Sequence, residues 1–141
     1  MANPMIPMDD SDRLIDEVAR AVATHIPLRI RGGDTKAFLG RETPAEAVEL
    51  DIRSHSGIVQ YEPTELVITA RAGTPVAELS AALDAAGQML PCEPPEFDGN
   101  ATLGGMHPDF GASSEPAVQV DDSGLLPYSI SRLTVNLSTY I

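Results

Sequence analysis

The chain has one cysteine, no tryptophan and a single lysine, and each scarcity excludes something. Cys92 on its own cannot close an intrachain disulfide, and this chain alone cannot build a zinc or iron–sulfur centre. With no disulfide framework, the expected compartment is the cytoplasm. Aromatic residues are 4% of the chain against a hydrophobic fraction of 43%, so Ala, Val, Leu and Ile must fill any core. Basic residues are also scarce: Lys and Arg number 9 against 21 Asp and Glu, a net charge of −12. That balance argues against a nucleic-acid or anionic-membrane surface, because such surfaces need clustered cations. A single bound phosphate is still compatible, since backbone N–H groups and one or two local cations suffice. No segment reaches the ~18 apolar residues of a membrane span. The opening MANPMIPMDDSD lacks a basic region and a long apolar run, so it does not read as a signal peptide; residues 1–11 are expected to be a flexible leader.

What is present is organised as short alternating elements. Residues 12–25 predict an amphipathic helix, with Leu14, Ile15, Val18, Ala21 and Val22 on one face, Ser11 or Asp10 as cap, and Pro27 preventing continuation. LRIR at 28–31 and VELDIR at 48–53 alternate apolar and charged residues, as half-buried strands do. IVQY at 58–61 and ELVITAR at 65–71 predict two more strands, the second expected to be buried on both faces. In the next segment Thr74 is the expected cap, Pro75 the first helical residue and Gly87 the stop; Val76, Leu79, Leu83 and Ala86 share a face. Residues 88–90 predict a short strand and PCEPPEF at 91–97 a proline-stiffened connector, in which Cys92 reads as an apolar filler. LTVNLSTYI at 133–141 alternates and can form a strand. The pattern is mixed α/β or α+β.

Two segments carry candidate chemistry. RIRGGDTKAFLG at 29–40 runs a strand straight into Gly32–Gly33, where backbone N–H groups can form an anion nest. Asp34 and Thr35 can fold onto the local backbone, and Lys36, the one lysine, can reach a phosphate oxygen. GNATLGGM at 99–106 repeats the idea with Thr102, Leu103, Gly104 and Gly105. Gly73–Thr74 opens a helix, whose N-terminus favours anions. Taken singly, each reads first as an ordinary turn or helix cap. Neither G-x-G-x-x-G nor a Walker loop is present. His25, His55 and His107 show no metal or nucleophile–base spacing, and the pairs Asp9–Asp10 and Asp121–Asp122 read as solvated surface. No catalytic residue and no metal site are assigned. Any catalysis must come from a bound cofactor.

PLRIRGGDTKAFLGR, GIVQYEPTELVITARAGTPVAELSAALDAAGQMLPCEPP and NATLGGM, in that order, closely resemble the FAD-binding subunits of bacterial glycolate oxidases (glycolate dehydrogenases). Those belong to the vanillyl-alcohol oxidase-type flavoproteins with a PCMH-type FAD-binding domain. The resemblance covers about residues 12–106. It implies an α+β fold, the first subdomain of such a domain, with a small mixed sheet flanked by helices. It implies FAD held non-covalently, since Asp34, Thr35 and Lys36 stand where some relatives carry a flavin-linking His. Expected cofactor contacts are Arg31, Gly32, Gly33, Asp34, Thr35, Lys36, Gly73, Thr74, Thr102, Leu103, Gly104 and Gly105. A small 2-hydroxy acid substrate, a second flavin subunit and an iron–sulfur subunit follow from the same likeness, with peripheral placement at the inner membrane through those partners. Residues 107–141 depart from the family's continuation, so the domain is expected to be truncated or altered after residue 106. A sibling oxidase of D-lactate or another small alcohol, or a non-catalytic piece that binds a partner subunit, are the rival expectations.

Overall fold

A computed structural model describes residues 8–39, 41–90, 99–106, 118–121, 132–136 and 138–139. Cys92, the Pro94–Pro95 connector, His107 and Asp122 lie outside the described residues.

The first helix, α1 (Ser11–Thr24), buries Ala21 and half-buries Leu14, Ile15 and Val18. Val22 departs from the expected face and stays 60% exposed. Neither expected cap operates. The Asp10 carboxylate takes the Ser54 hydroxyl and the Arg13 guanidinium, while Asp9 Oδ1 accepts both the N–H and the hydroxyl of Ser11 at 3.1 and 2.6 Å. The helix ends before Pro27, because His25 turns left-handed at φ 54° and the Ile26 N–H reaches back to the Ala21 carbonyl.

Strands β1 (Leu28–Arg31) and β2 (Val48–Asp51) pair in parallel, Leu28 opposite Val48 and Arg31 opposite Asp51, with residues 32–47 as the crossover. Leu50 is buried, but Ile30 is 65% exposed, against the half-buried strand expected. A two-stranded sheet shields little of its own surface, and among the described residues nothing closes over Ile30.

Strand β3 (Ile58–Glu62) turns through a 3₁₀ segment, Pro63–Glu65, into β4 (Val67–Arg71). With β6 (Val118–Asp121) and β7 (Arg132–Asn136) they form an antiparallel sheet of order β3-β4-β7-β6. β4 is therefore central, yet it is not buried on both faces as expected. Ile68 and Ala70 are 1% exposed, whereas Val67, Thr69 and Arg71 are only half-buried. The reason is the sheet's hand of pairing. An antiparallel sheet packs one face on the core and leaves the other partly wet; two covered faces belong to parallel sheets.

Helix α2 (Val76–Ala85) starts one residue later than expected, with Pro75 rather than Thr74 at the cap position. Its Val76, Leu79 and Leu83 are buried while Ala86 is exposed, and Gly87 at φ +67° turns the chain into β5 (Gln88–Met89), which pairs with β8 (Ser138–Thr139). Tyr61 donates to Gln88 Oε1 at 2.6 Å, and Gln88 donates to the Pro63 carbonyl at 2.7 Å, so the buried amide is satisfied. The small mixed sheet and flanking helices expected are present, with the strands divided among three small sheets, one parallel and two antiparallel. The short helix α3 (Leu103–Met106) buries Leu103 and Met106 beside Ile68, Ala70, Val76, Leu79, Leu83, Leu90 and Ala101 in one core. Among the described residues, no helix is long and apolar enough to cross a membrane.

Candidate functional site

Residues 99–106 form a slab held from two sides. On one side it meets the Gly73–Thr74 turn. The Leu103 N–H donates to the Thr74 carbonyl at 2.9 Å, the Val76 N–H to the Ala101 carbonyl at 2.9 Å, and the Gly104 N–H to the Ala72 carbonyl at 2.8 Å. The start of α2 is thereby docked on protein main chain. Thr74 is fully buried; its hydroxyl accepts from the Gly57 N–H at 2.9 Å. A Cβ on Gly73 would overlap the Ile52 carbonyl oxygen and approach the His55 carbonyl oxygen at 2.6 Å, so only glycine fits against the 52–57 loop.

On the other side the slab meets the first Gly-Gly turn. A Cβ on Gly33 would overlap the Asn100 carbonyl oxygen and stand 2.6 Å from its carbon; one on Gly32 would overlap the Thr102 hydroxyl. The two glycines serve close approach, because neither has a positive φ. Asp34 carries the left-handed backbone instead, at φ 58°. Lys36 then spans the gap: its Nζ donates to the Gly105 carbonyl at 3.1 Å, across 69 residues of sequence. Gly105 is exposed, and its N–H reaches Thr102 Oγ1 at 3.4 Å.

The loop has unused donors. Among the described residues, no hydrogen bond occupies the N–H groups of Gly33, Asp34 or Thr35. Arg31 Nε is buried with no hydrogen-bond partner there; Asp34 Oδ2 is 3.9 Å away, too far to accept. Three of the chain's nine cations, Arg29, Arg31 and Lys36, stand here. Glu49 pairs with Arg29 at 3.1 Å and with Arg31 at 2.9 Å, and Asp34 pairs with Arg29 at 2.5 Å. Asp51, opposite Arg31, adds a third carboxylate, so these cations are matched by nearby acids. Buried orphan donors and free main-chain N–H groups beside cationic side chains are what a pyrophosphate requires.

Twelve residues were candidates on sequence grounds. Arg31–Lys36 and Thr102–Gly105 come together, with Gly73–Thr74 on the far side of the slab. Leu103 points into the core and the N–H groups of Leu103 and Gly104 are engaged, so any ligand contact from 102–105 runs through other atoms.

One group was missed. His55 is 3% exposed and accepts the Asp10 N–H on Nδ1 at 3.1 Å, while its carbonyl accepts the Gly73 N–H at 2.9 Å. No spacing rule flags a histidine that works through its main chain and one acceptor nitrogen. Nearby, the hydroxyl and N–H of Ser11, with Arg71 assisting, hold the Asp9 carboxyl at about 2, below the ordinary 3.8. A lowered folded value means the contact stabilises fully above the unfolded value and is lost as pH falls through about 2. Carboxyl-carbon NMR is expected to show Asp9 titrating near 2; a midpoint at 3.8 would mean that the Ser11 contacts are absent in solution.

The chain is a flavoprotein module. The FAD-binding domain family matches residues 5–111, and the chain belongs to that family; its cofactor is FAD. The resemblance read from RGGDTK, the ELVITARAGTP segment and ATLGGM therefore holds. The chain is 55% identical over 98 residues to glycolate oxidase subunit GlcE of Escherichia coli (strain K12), a match that takes in 70% of this chain and 27% of that protein. It thus spans well under half the length of that relative. Among solved structures, alkyldihydroxyacetonephosphate synthase superposes with a TM-score of 0.63 at 14% identity, covering 92% of this chain and 30% of that one, a likeness of fold.

Proposed function

We propose that this chain is the FAD-binding part of a glycolate oxidase subunit that serves the oxidation of a small 2-hydroxy acid to a 2-oxo acid. The observation that carries the reading is the junction of the two glycine turns, closed by Lys36 on Gly105, at a loop with orphan donors. In this reading the N–H groups of Gly33, Asp34 and Thr35 donate to the pyrophosphate, Arg31 and Lys36 neutralise it, and Gly32 lets the main chain come close. Thr102–Gly105 form the facing wall, and Gly73–Thr74 brace that wall from behind. Bound FAD supplies the hydride-accepting chemistry; the chain's own residues hold and orient it. The GlcE relationship supports the choice of glycolate, and with it a second flavin subunit and an iron–sulfur subunit as partners that receive the electrons. Cytoplasmic placement, peripheral at the inner membrane through those partners, belongs to the same reading.

Titrating the purified chain with FAD, FMN and riboflavin tests it. FAD is expected to bind tightest, with visible flavin absorbance retained through gel filtration. A protein with no FAD affinity would remove the reading and leave a partner-binding piece. Glycolate-dependent dye reduction by the chain co-expressed with partner subunits tests the substrate, with D-lactate as the competing one.

A further inference from the structure

The N-terminal residues 8–11 are not used by the cleft, yet they are tied to the loop directly behind it. Met8 and Ser56 exchange two main-chain hydrogen bonds, at 3.0 and 3.1 Å. The Asp10 N–H donates to His55 Nδ1 at 3.1 Å, and the Asp10 carboxylate accepts from the Ser54 hydroxyl. Asp9 pairs with Arg71 at 3.3 Å and stands 3.7 Å from His55 Nδ1. Arg13 completes the attachment, donating to the Asp51 carbonyl at 2.6 Å and to Ser54 Oγ at 3.0 Å.

The loop so held is the one that Gly73 and Thr74 rest on. The His55 carbonyl takes the Gly73 N–H, and the Thr74 hydroxyl takes the Gly57 N–H. The Thr74 carbonyl in turn takes Leu103, so the chain of contacts runs from the N-terminal strap through His55 to the ATLGGM slab. Every link but the strap itself is buried, and buried main-chain contacts transmit displacement because the interior has little free volume. We propose that His55 is a positioning residue for FAD: clamped by residues 8–11, it sets the depth of the Gly73–Thr74 turn and thereby the distance between the slab and the RGGDTK loop. The proposal rests on the FAD reading of the cleft given above.

The test compares His55→Leu, which removes the acceptor, with His55→Asn, whose side-chain oxygen replaces Nδ1. His55→Leu is expected to weaken FAD by about ten-fold and to change the visible circular dichroism of the bound flavin; His55→Asn is expected to restore most of both. If the role is merely structural, His55→Leu lowers the melting temperature while FAD affinity and the flavin spectrum, measured well below it, stay at wild-type values. That result overturns the proposal. Ser54→Ala loosens the strap without touching the core and covers the case in which His55→Leu does not fold: a loss of about three-fold in FAD affinity is expected, and an unchanged affinity counts against the strap. Wild-type chain that binds no FAD removes the cofactor reading and this proposal together, whereas wild-type binding with unaffected variants removes only the proposal.

Discussion

Alanine at Gly33 is expected to yield a protein that loses FAD affinity by roughly 100-fold, about 2.8 kcal/mol. The added methyl has nowhere to go. It would overlap the Asn100 carbonyl, which is main chain, and the next residue, Ala101, is 4% exposed in the core and hydrogen-bonded to Val76. A flexible side chain would yield; this backbone cannot, and overpacking of a well-filled site typically costs about 1–3 kcal/mol. The turn must instead lift away from the slab, and the Lys36 to Gly105 contact goes with it. Fluorescence titration with FAD and a thermal melt of the variant check this. Gly33→Ala binding FAD within about three-fold of wild type would show that the loops are not packed as described.

Methionine at Lys36 carries the second large effect. It keeps the length of the side chain and removes its charge. A hydrogen bond to a charged group contributes about 1.5–3 kcal/mol, so FAD affinity is expected to fall roughly 10- to 100-fold. Riboflavin, which has no pyrophosphate, is expected to bind the variant as it binds wild type. Raising ionic strength is expected to narrow the FAD difference, because the ammonium is partly exposed and screened. Arginine at the same position restores charge but not the compact ammonium, and partial recovery is expected. Equal weakening of FAD and riboflavin would be the decisive contrary result; Lys36 would then act only by tying Gly105, and the phosphate role would fall.

Legibility from sequence followed the range of each interaction. The helices at 11–24 and 76–85 were readable because their apolar spacing is a property of a few neighbouring residues. Strand β4 was readable as a strand but not in its burial, since the number of covered faces depends on which strands pair beside it. Asp10 occupies the cap position of α1 as expected, but its side chain makes no capping bond. Asp10 had a better partner in Ser54, 44 residues away, leaving Asp9 to take Ser11. Thr74 likewise gave up capping for Gly57, 17 residues back.

By itself the sequence determined most elements up to residue 90 and their order, the two glycine turns, and through RGGDTK and ATLGGM the FAD-binding family; it did not mark α3 or β6. These are local matters: periodicity, backbone permissiveness and short motifs need no knowledge of what lies opposite. Only the tertiary structure decided why the glycines are there. Gly33 and Gly73 admit a neighbouring main chain, Gly32 admits the Thr102 side chain, and the left-handed turn falls to Asp34. Tertiary structure also decided that Lys36 meets Gly105 and that His55 stands between the N-terminal segment and the cleft. Each of these depends on segments 18 to 70 residues apart closing on one another, and that closure is set by burial of the shared core around Ala101, Leu103 and Met106, a property of the whole chain rather than of any stretch of it.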